Sequence, residues 1–250
     1  MEREFEISTK IIGGDERDER QLKVLNRTIT YCDEGINYEP DPRHAELVIK
    51  DLKLDECKEV LTPGCEDESR RSGETEMLND DDKKRYQSIV ARCNYLALDR
   101  PEIQYATKEC ARAMSCPTAE DQQRLKRLGR FLKGHPRTTI HYGWQQRINK
   151  ITIHTDANWA GDKVNRKSTS GGVIQIGKHF VKSWSKNQSL IALSSAESEL
   201  YACVKATAEG LGVISMLEDW GRSCCGEVKA DASAALGIIA RRGLGKVRHL

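Results

Sequence analysis

The spacing of apolar residues changes after residue 146. Residues 151–159 (ITIHTDANW) alternate between apolar and polar side chains, and the runs on either side of Gly177 and Lys178 have the composition of a hairpin. One long amphipathic segment follows over residues 194–221, and then come a short strand and a short helix. Residues 147–250 are therefore predicted to fold as an α/β domain with the element order β-β-β-α-β-α.

The preceding residues divide into three parts. Residues 1–62 predict one or two strands in QLKVLNRTITY and then a helix capped by Asp41, and they are followed by a polar segment too poor in apolar residues to bury a core. After that segment, three stretches with helical spacing predict a mostly helical region, whose last helix ends at Gly134. The predicted parts are 1–62, a polar linker 63–82, a helical connection segment 83–146, and the α/β domain 147–250.

Charge is distributed unevenly along the chain. Residues 1–82 contain 12 Lys and Arg against 24 Asp and Glu, whereas residues 83–250 contain 28 against 14. A basic body favours a polyanionic partner such as nucleic acid, although ordinary solvated helix charge is the alternative. The same two explanations apply to the cations of the last connection helix, which are Arg124, Lys126, Arg127, Arg130 and Lys133.

Cysteine usage and hydropathy exclude several classes of protein. The nine cysteines are odd in number and form no C-x-x-C pair, so a disulfide framework or a zinc knuckle is not expected. We also count no apolar run near the roughly 18 residues that a membrane span requires. The expectation is an intracellular protein with reduced thiols and no membrane partner.

Two acids occupy strand ends, where burial is expected. Asp156 lies near the end of the first predicted strand of the α/β domain, and Asp231 ends the fourth. An acid at the carboxyl end of a strand often caps the helix that follows, so capping remains an equal alternative for Asp231.

The long helix contains two candidate acids near its start. Ser194 and Glu197 have the spacing of a capping box, which gives Glu197 a structural role. Glu199 lies 18 residues, or five helical turns, before Leu217, so it is predicted to point with the apolar stripe toward the sheet while Glu197 points off it. A carboxylate directed into a core needs a basic partner or a cation.

Asp156, Glu199 and Asp231 together predict an oxygen-ligand site for Mg²⁺ or Mn²⁺. Hard divalent cations select carboxylates, and a phosphodiester substrate supplies further oxygen ligands. Two such ions, roughly 3.5–4 Å apart, activate water and stabilise the leaving oxygen. For Glu199 alone, a salt bridge to a nearby Lys or Arg is the alternative.

Several long strings closely resemble the ribonuclease H domain of copia-type retrotransposon Pol polyproteins. They are TDANWAGDKVNRKSTSGGVIQIG, SWSKNQSLIALSSAESELYA, ADASAALGI and GLGKVRHL. Residues 85–114 and the basic RLKRLGRFLKG resemble the segment that joins reverse transcriptase to that domain, and residues 1–62 resemble the end of the polymerase. The resemblance implies a ribonuclease H-like mixed sheet.

The same resemblance assigns roles to individual residues. It implies that Asp156, Glu199 and Asp231 are the catalytic metal ligands, with Asp156 bridging two ions that cut the RNA strand of an RNA–DNA hybrid. Arg166, Lys167, Ser168 and Thr169 follow the first strand and are expected to contact the hybrid backbone, whereas a simple turn is the alternative. The implied partners are an RNA–DNA hybrid and the rest of the Pol polyprotein, in the cytoplasm (a virus-like particle) or the nucleus.

Two departures from the family pattern limit these expectations. Asn158 stands where relatives often carry Asp, so we assign it no metal role. The final strand and helix of the family, with a fourth acid, are not expected within the chain, and the only run of aspartates, Asp80–Asp82, lies in a polar segment rather than in a polymerase hairpin. The hypotheses are an impaired nuclease without polymerase activity, a non-catalytic nucleic-acid-binding or scaffold module, and a decayed retroelement remnant.

Overall fold

The computed structural model describes residues 8–64 and 76–241. Its helices and strands, in chain order, are β1 (Gln21–Val24), β2 (Arg27–Cys32), β3 (Gly35–Glu39), α1 (Arg43–Asp51), α2 (Asp80–Leu96), α3 (Gln104–Arg112), α4 (Ala119–Gly134), β4 (Ile140–Gly143), β5 (Lys150–Asn158), β6 (Thr169–Ile176), β7 (His179–Asn187), α5 (Ser195–Asp219), β8 (Cys225–Lys229) and α6 (Ser233–Ala240). Chain contacts divide the described residues into two units. The first contains residues up to 64, 77–103 and 113–144, and the second contains 104–112 and 145 onward.

The first unit combines an antiparallel sheet, in the order β1-β2-β3-β4, with helices α1, α2 and α4. Leu25 and Asn26 both have positive φ angles, as a two-residue hairpin between β1 and β2 requires. The sequence predicted strands in this hairpin, whereas the pairing of β3 with the distant β4 was not predicted. Helix α1 begins after Pro42 rather than Asp41, although Asp41 accepts a hydrogen bond from the Arg43 amide (3.0 Å).

Helix α2 begins at Asp80, inside the segment predicted as a linker, because the Asn79 side chain caps its first turn by accepting from the Asp82 amide. Asp80–Asp82 therefore form the start of a helix. Helix α4 ends at Gly134 as predicted, and Thr118 and Asp121 form a capping box at its start. The four-part domain division itself stays a prediction.

Four of the five cations of α4 make polar contacts inside the first unit. Arg124 pairs with Asp121, Arg127 donates to the Thr62 hydroxyl, Arg130 donates to the Lys58 carbonyl, and Lys133 donates to the Cys57 carbonyl. The last three of these contacts fasten residues 57–62 onto the helix. The basic helix thus has a structural use that neither of the two sequence interpretations included.

The second unit has the predicted element order, with β5, β6, β7, α5, β8 and α6 following one another. Its sheet has the order β7-β6-β5-β8, in which only β5 and β8 run parallel, so the fold is α/β with a mixed sheet. Gly177 forms the predicted hairpin turn between β6 and β7 with a positive φ of 60°. The core of this unit lies between the sheet and α5, and contains Ile151, Ile153, Ile174, Trp184, Ala206, Val213 and Leu217.

The apolar stripe of α5 differs in part from the predicted one. The apolar spacing places Cys203, Leu211 and Leu217 on one stripe. Cys203 and Leu217 are buried as this predicts, whereas Leu211 is exposed, and Ala206, Gly210 and Val213 carry the contact with the sheet. The helix also corrects the expectation about apolar runs, because one 18-residue window reaches a mean hydropathy of 1.3 and is long enough to cross a membrane. A single helix of this kind is weak evidence for a span, since core helices pass the same test.

The eight cysteines in the described part of the chain are free. Cys93, Cys110 and Cys203 are buried. Burial, and to a smaller extent the nearby Glu199 carboxylate, raise the pKa of the Cys203 thiol. A buried thiol with a raised pKa is a weak nucleophile, so Cys203 is a packing residue here.

Candidate functional site

The parallel pairing of β5 with β8 brings two of the predicted acids together. The last paired residues are His154 and Lys229. Two residues further along each strand direction come Asp156 and Asp231. Because neighbouring parallel strands end at the same edge of a sheet, these two carboxylates share the edge at the end of β5.

Helix α5 supplies the third acid. The Thr155 hydroxyl lies 2.9 Å from the Gly171 carbonyl of β6 and 3.2 Å from the Ala202 carbonyl of α5, so it ties the helix to the sheet. One turn before Ala202, the Glu199 carboxylate accepts a hydrogen bond from the Ala157 amide through Oε1 (3.2 Å). Glu199 is thereby held over the end of the strand that carries Asp156.

The three carboxylates form one cluster. Each of Asp156, Glu199 and Asp231 offers one oxygen, and these oxygens all lie within 4.8 Å of one another. Glu199 is buried, whereas Asp156 and Asp231 are exposed. The structure therefore brings together the three acids that the sequence analysis selected, with an open side available to a ligand.

Electrostatics within the cluster favour an added cation. Burial raises the pKa of Glu199, and the negative charges of Asp156 and Asp231 raise it further, while the Ala157 amide opposes them. Its second oxygen, Oε2, is buried and has no hydrogen-bond partner among the residues that the structure describes. Such an oxygen, close to two further carboxylates, fits a hard divalent cation such as Mg²⁺ or Mn²⁺.

The structure shows neither the salt bridge considered for Glu199 nor the capping role considered for Asp231. Glu199 makes no ion pair with any Lys or Arg across residues 8–64 and 76–241. Helix α6 has Ala232 at its N-cap position and no side-chain capping bond, so Asp231 does not cap it.

Glu197 corrects one prediction. It was expected to point away from the buried stripe, but it is only 2% exposed, against 8% for Glu199. The Ser194 hydroxyl caps the Glu197 amide as expected, while the Glu197 carboxylate accepts from the Leu193 amide (2.9 Å) and the Tyr201 hydroxyl (3.2 Å). Because both of its oxygens have partners, Glu197 serves the helix start rather than a ligand.

The residues expected to contact nucleic acid fall into two groups. Ser168 is 0% exposed and Thr169 is 6% exposed. The Ser168 hydroxyl accepts from the Ala160 amide (3.0 Å) and the Thr169 hydroxyl accepts from Lys108 (2.7 Å), so both are used inside the protein. Arg166 is exposed and Lys167 is half-exposed, which leaves these two cations as the accessible pair.

Sequence reasoning missed two residues that shape the site. Gln188 is buried and donates to the Ser170 hydroxyl (3.0 Å) and the Ser198 carbonyl (2.8 Å), so it links β6 to the start of α5. The exposed indole of Trp159 donates to the Ala192 carbonyl (3.0 Å), which fixes the end of β5 to the loop before α5. The sequence signals for these residues are a polar residue directly after a strand and a tryptophan close to a strand-end acid.

Comparison with known proteins gives relatives but no match to a protein-family model. The retrovirus-related Pol polyprotein from transposon RE1 of Arabidopsis thaliana is 35% identical over 142 residues, which is 56% of the chain. The corresponding polyprotein from transposon TNT 1-94 of Nicotiana tabacum is 30% identical over 137 residues, or 54% of the chain. The aligned region is 10% of each polyprotein, so the chain spans only a small part of these relatives.

A shorter relative is matched over most of its length. The uncharacterized mitochondrial protein AtMg00810 of Arabidopsis thaliana is 31% identical over 170 residues, which cover 67% of the chain and 68% of that protein.

Proposed function

Because this chain belongs to the family of retrovirus-related Pol polyproteins from copia-type transposons, we propose that its second unit is a ribonuclease H-like nuclease. The proposed reaction is hydrolysis of the RNA strand of an RNA–DNA hybrid. Asp156, Glu199 and Asp231 are the proposed ligands of Mg²⁺ or Mn²⁺.

The observation that carries this proposal is the meeting of three carboxylates within 4.8 Å at one edge of the sheet. Three like charges so close together are unfavourable without a counter-charge, and Glu199 has an unpartnered buried oxygen besides. Such a carboxylate cluster fits a site where divalent cations supply the missing positive charge and a phosphodiester supplies further ligands to the cations.

Each ligand has a distinct task in this scheme. Asp156 and Asp231 stand on the open side, where cations and substrate phosphate both have access. The Ala157 amide fixes one oxygen of Glu199, so the other is presented in a defined direction. Divalent cations held by these three carboxylates would activate a water and stabilise the leaving 3′ oxygen.

Substrate binding is assigned to the exposed part of the loop between β5 and β6. The side chains of Arg166 and Lys167 have no ion pair among residues 8–64 and 76–241, so both charges are available to backbone phosphates. The hybrid as substrate, and the rest of the Pol polyprotein as partner, rest on family membership.

Cleavage of defined substrates by the purified chain tests the proposal. End-labelled RNA–DNA hybrid, single-stranded RNA, double-stranded RNA and double-stranded DNA are each incubated with Mg²⁺, Mn²⁺ or EDTA. We expect cleavage of the hybrid RNA strand only, dependent on the metal. The Asp156→Asn variant should lose at least about 10³-fold in rate, since this carboxylate acts directly on the reacting site.

Glu218→Gln is the matched control, because Glu218 is an exposed acid on the same helix as Glu199. It should cleave like the unmodified chain. Tight hybrid binding without cutting, unchanged by Asp156→Asn, would instead indicate a non-catalytic nucleic-acid-binding module. A chain that neither binds nor cleaves the hybrid would reject the proposal.

A further inference from the structure

Helix α3 belongs to the second unit, although residues 113–144, which follow it, belong to the first. Three polar contacts hold it there. Gln104 accepts from the Ser183 hydroxyl of β7 (3.0 Å), Lys108 donates to the Thr169 hydroxyl (2.7 Å), and Arg112 forms an ion pair with Asp162. Two of these contacts reach the loop between β5 and β6 or the first residue of β6, Thr169.

Asp162 lies in that loop and holds it through several hydrogen bonds. It is buried, and its Oδ1 accepts from the amides of Val164 (3.0 Å) and Asn165 (3.2 Å). Its own amide donates to the Lys167 carbonyl (3.0 Å). Burial alone would raise the pKa of Asp162, but Arg112 and the two amides together hold it below its usual value. The conformation of the loop thus depends on an ionised Asp162.

Arg112 is itself fixed by its own helix. Its Nη1 lies 2.9 and 3.0 Å from the two oxygens of Glu109, and Lys108 lies 2.6 Å from the same carboxylate. Side-chain exposures of all four charged residues are low, between 6% and 17%. Two cations and two anions therefore form a largely desolvated network, in which removing one member leaves a buried charge uncompensated.

We propose that Arg112 is a positioning residue of the nuclease site: through Asp162 it holds the loop 159–168, and with it Arg166 and Lys167, in the conformation that receives the hybrid backbone. The inference rests on the proposed function for its substrate. The structural part of the inference rests only on the contacts of α3. It states that this helix sets the conformation of the loop 159–168, which follows the strand carrying Asp156.

The test compares Arg112→Gln, Asp162→Asn and the double variant in the full chain. Hydrogen exchange at the amides of Asp162, Val164 and Asn165 should be faster in each. For hybrid cleavage, KM should rise about 10-fold while kcat changes far less, because binding contacts are displaced and the metal ligands are not. The double variant should be no worse than the worse single variant, since both remove the same pair.

Lys182→Gln is the matched control, because Lys182 also pairs with an acid of this unit but lies at the surface of β7. It should leave loop exchange and KM unchanged. If Arg112→Gln prevents folding, Arg112→Lys keeps the charge and should retain partial protection of the three amides.

Unchanged exchange and unchanged KM in folded Arg112→Gln would overturn the inference, as would additive effects in the double variant. If the unmodified chain cuts no hybrid, the proposed function fails, and loop exchange together with the affinity for hybrid in Ca²⁺ still decides the role of Arg112. Equal loss of kcat and of kcat/KM would place Arg112 in a different role and also contradict the proposal.

Discussion

Two acids, one in each unit, show opposite ways of accommodating a carboxylate away from water. In the first unit, Asp99 accepts two bonds from Arg27 (2.7 and 2.9 Å) and one from the Tyr38 hydroxyl (2.7 Å). In the second unit, Glu199 has a single amide donor, an unpartnered oxygen and two like-charged neighbours. The first acid is compensated by the protein, and the second is not.

The difference separates an acid that the protein itself compensates from one that we propose to bind a cation. The Asp99 cluster joins the sheet to the segment after α2 and needs nothing further. Burial and the hydrogen bond to Asp99 raise the pKa of Tyr38 to about 12, which shows how firmly that proton is held. At Glu199 the missing compensation remains available to a cation. The following substitutions test this contrast.

Removing the cation from the compensated cluster should have the largest effect. Arg27→Ala leaves Asp99 half-buried beside Tyr38 alone, and should lower the free energy of unfolding by about 3 kcal/mol. Urea unfolding measures this loss. Lys23→Ala, on the exposed strand β1 of the same hairpin, is the control and should change stability by less than about 0.5 kcal/mol. Equal losses in both variants would show that the hairpin, not the ion pair, is responsible.

Removing the neutral donor from the same cluster should have a smaller effect. Tyr38→Phe deletes one hydrogen bond to a charged acceptor and keeps the ion pair, so we expect a loss of about 1.5 kcal/mol. Tyr31→Phe is its control, because the Tyr31 ring packs on Trp144 and its hydroxyl makes no hydrogen bond in the described part of the chain. If Tyr38→Phe leaves the free energy of unfolding unchanged, Arg27 alone compensates Asp99.

Neutralising the uncompensated acid should act in the opposite direction. Burial and its neighbours raise the pKa of Glu199 above its unfolded value, so the charged form is penalised in the folded state at neutral pH. Without divalent cations, Glu199→Gln should therefore stabilise the protein by about 1 kcal/mol, or about 2–4 °C in Tm. We expect Mg²⁺ to raise the Tm of the unmodified chain, and the same variant should lose this stabilisation.

Glu218→Gln on the same helix should alter neither the Tm nor its response to Mg²⁺, because Glu218 is exposed. Destabilisation by Glu199→Gln in EDTA would contradict the contrast with Asp99. Retained stabilisation by Mg²⁺ would place the cation elsewhere.

A third acid gives the smallest effect and a defined pH window. Lys182 and Lys205 lower the pKa of Glu209 to about 2, from an ordinary 4.5. A lowered folded pKa contributes stability that is present above pH 4.5 and is lost as the pH falls toward 2. Because these pairs lie near the surface, Glu209→Gln should cost only about 0.5 kcal/mol at pH 7. Thermal unfolding across this range should show the two proteins converging, and a constant difference would refute the assignment.

The sequence predicted the elements of the second unit because they rest on local periodicity. Glu199 could be selected because it lies in phase with Leu217, and the helix does bury both. Asp156 and Asp231 could be selected because each ends a strand pattern. What periodicity cannot supply is strand order, and it is the parallel register of β5 and β8 that makes these acids neighbours.

The errors share one physical cause, since tertiary contacts override the local pattern. Glu197 was predicted outside the core because the prediction used only its angular position on the helix. The loop at Leu193, which folds back over the first turn, was not considered. Ser168 and Thr169 looked like solvent-exposed turn residues, yet Ala160 and Lys108 use their hydroxyls. Contacts between residues distant along the chain, such as Arg112 with Asp162, leave no local trace.

The parallel pairing of β5 with β8 also decides when the carboxylate cluster can form during synthesis. A nascent chain that has emerged only as far as α5 already holds Asp156 and Glu199, but Asp231 arrives only after the whole crossover has been translated and β8 has docked. Non-local pairing of this kind is a slow step in folding. The carboxylate cluster of the unit is therefore completed last. Under the proposed function, this order delays cation binding and nuclease activity until the protein around the site is built.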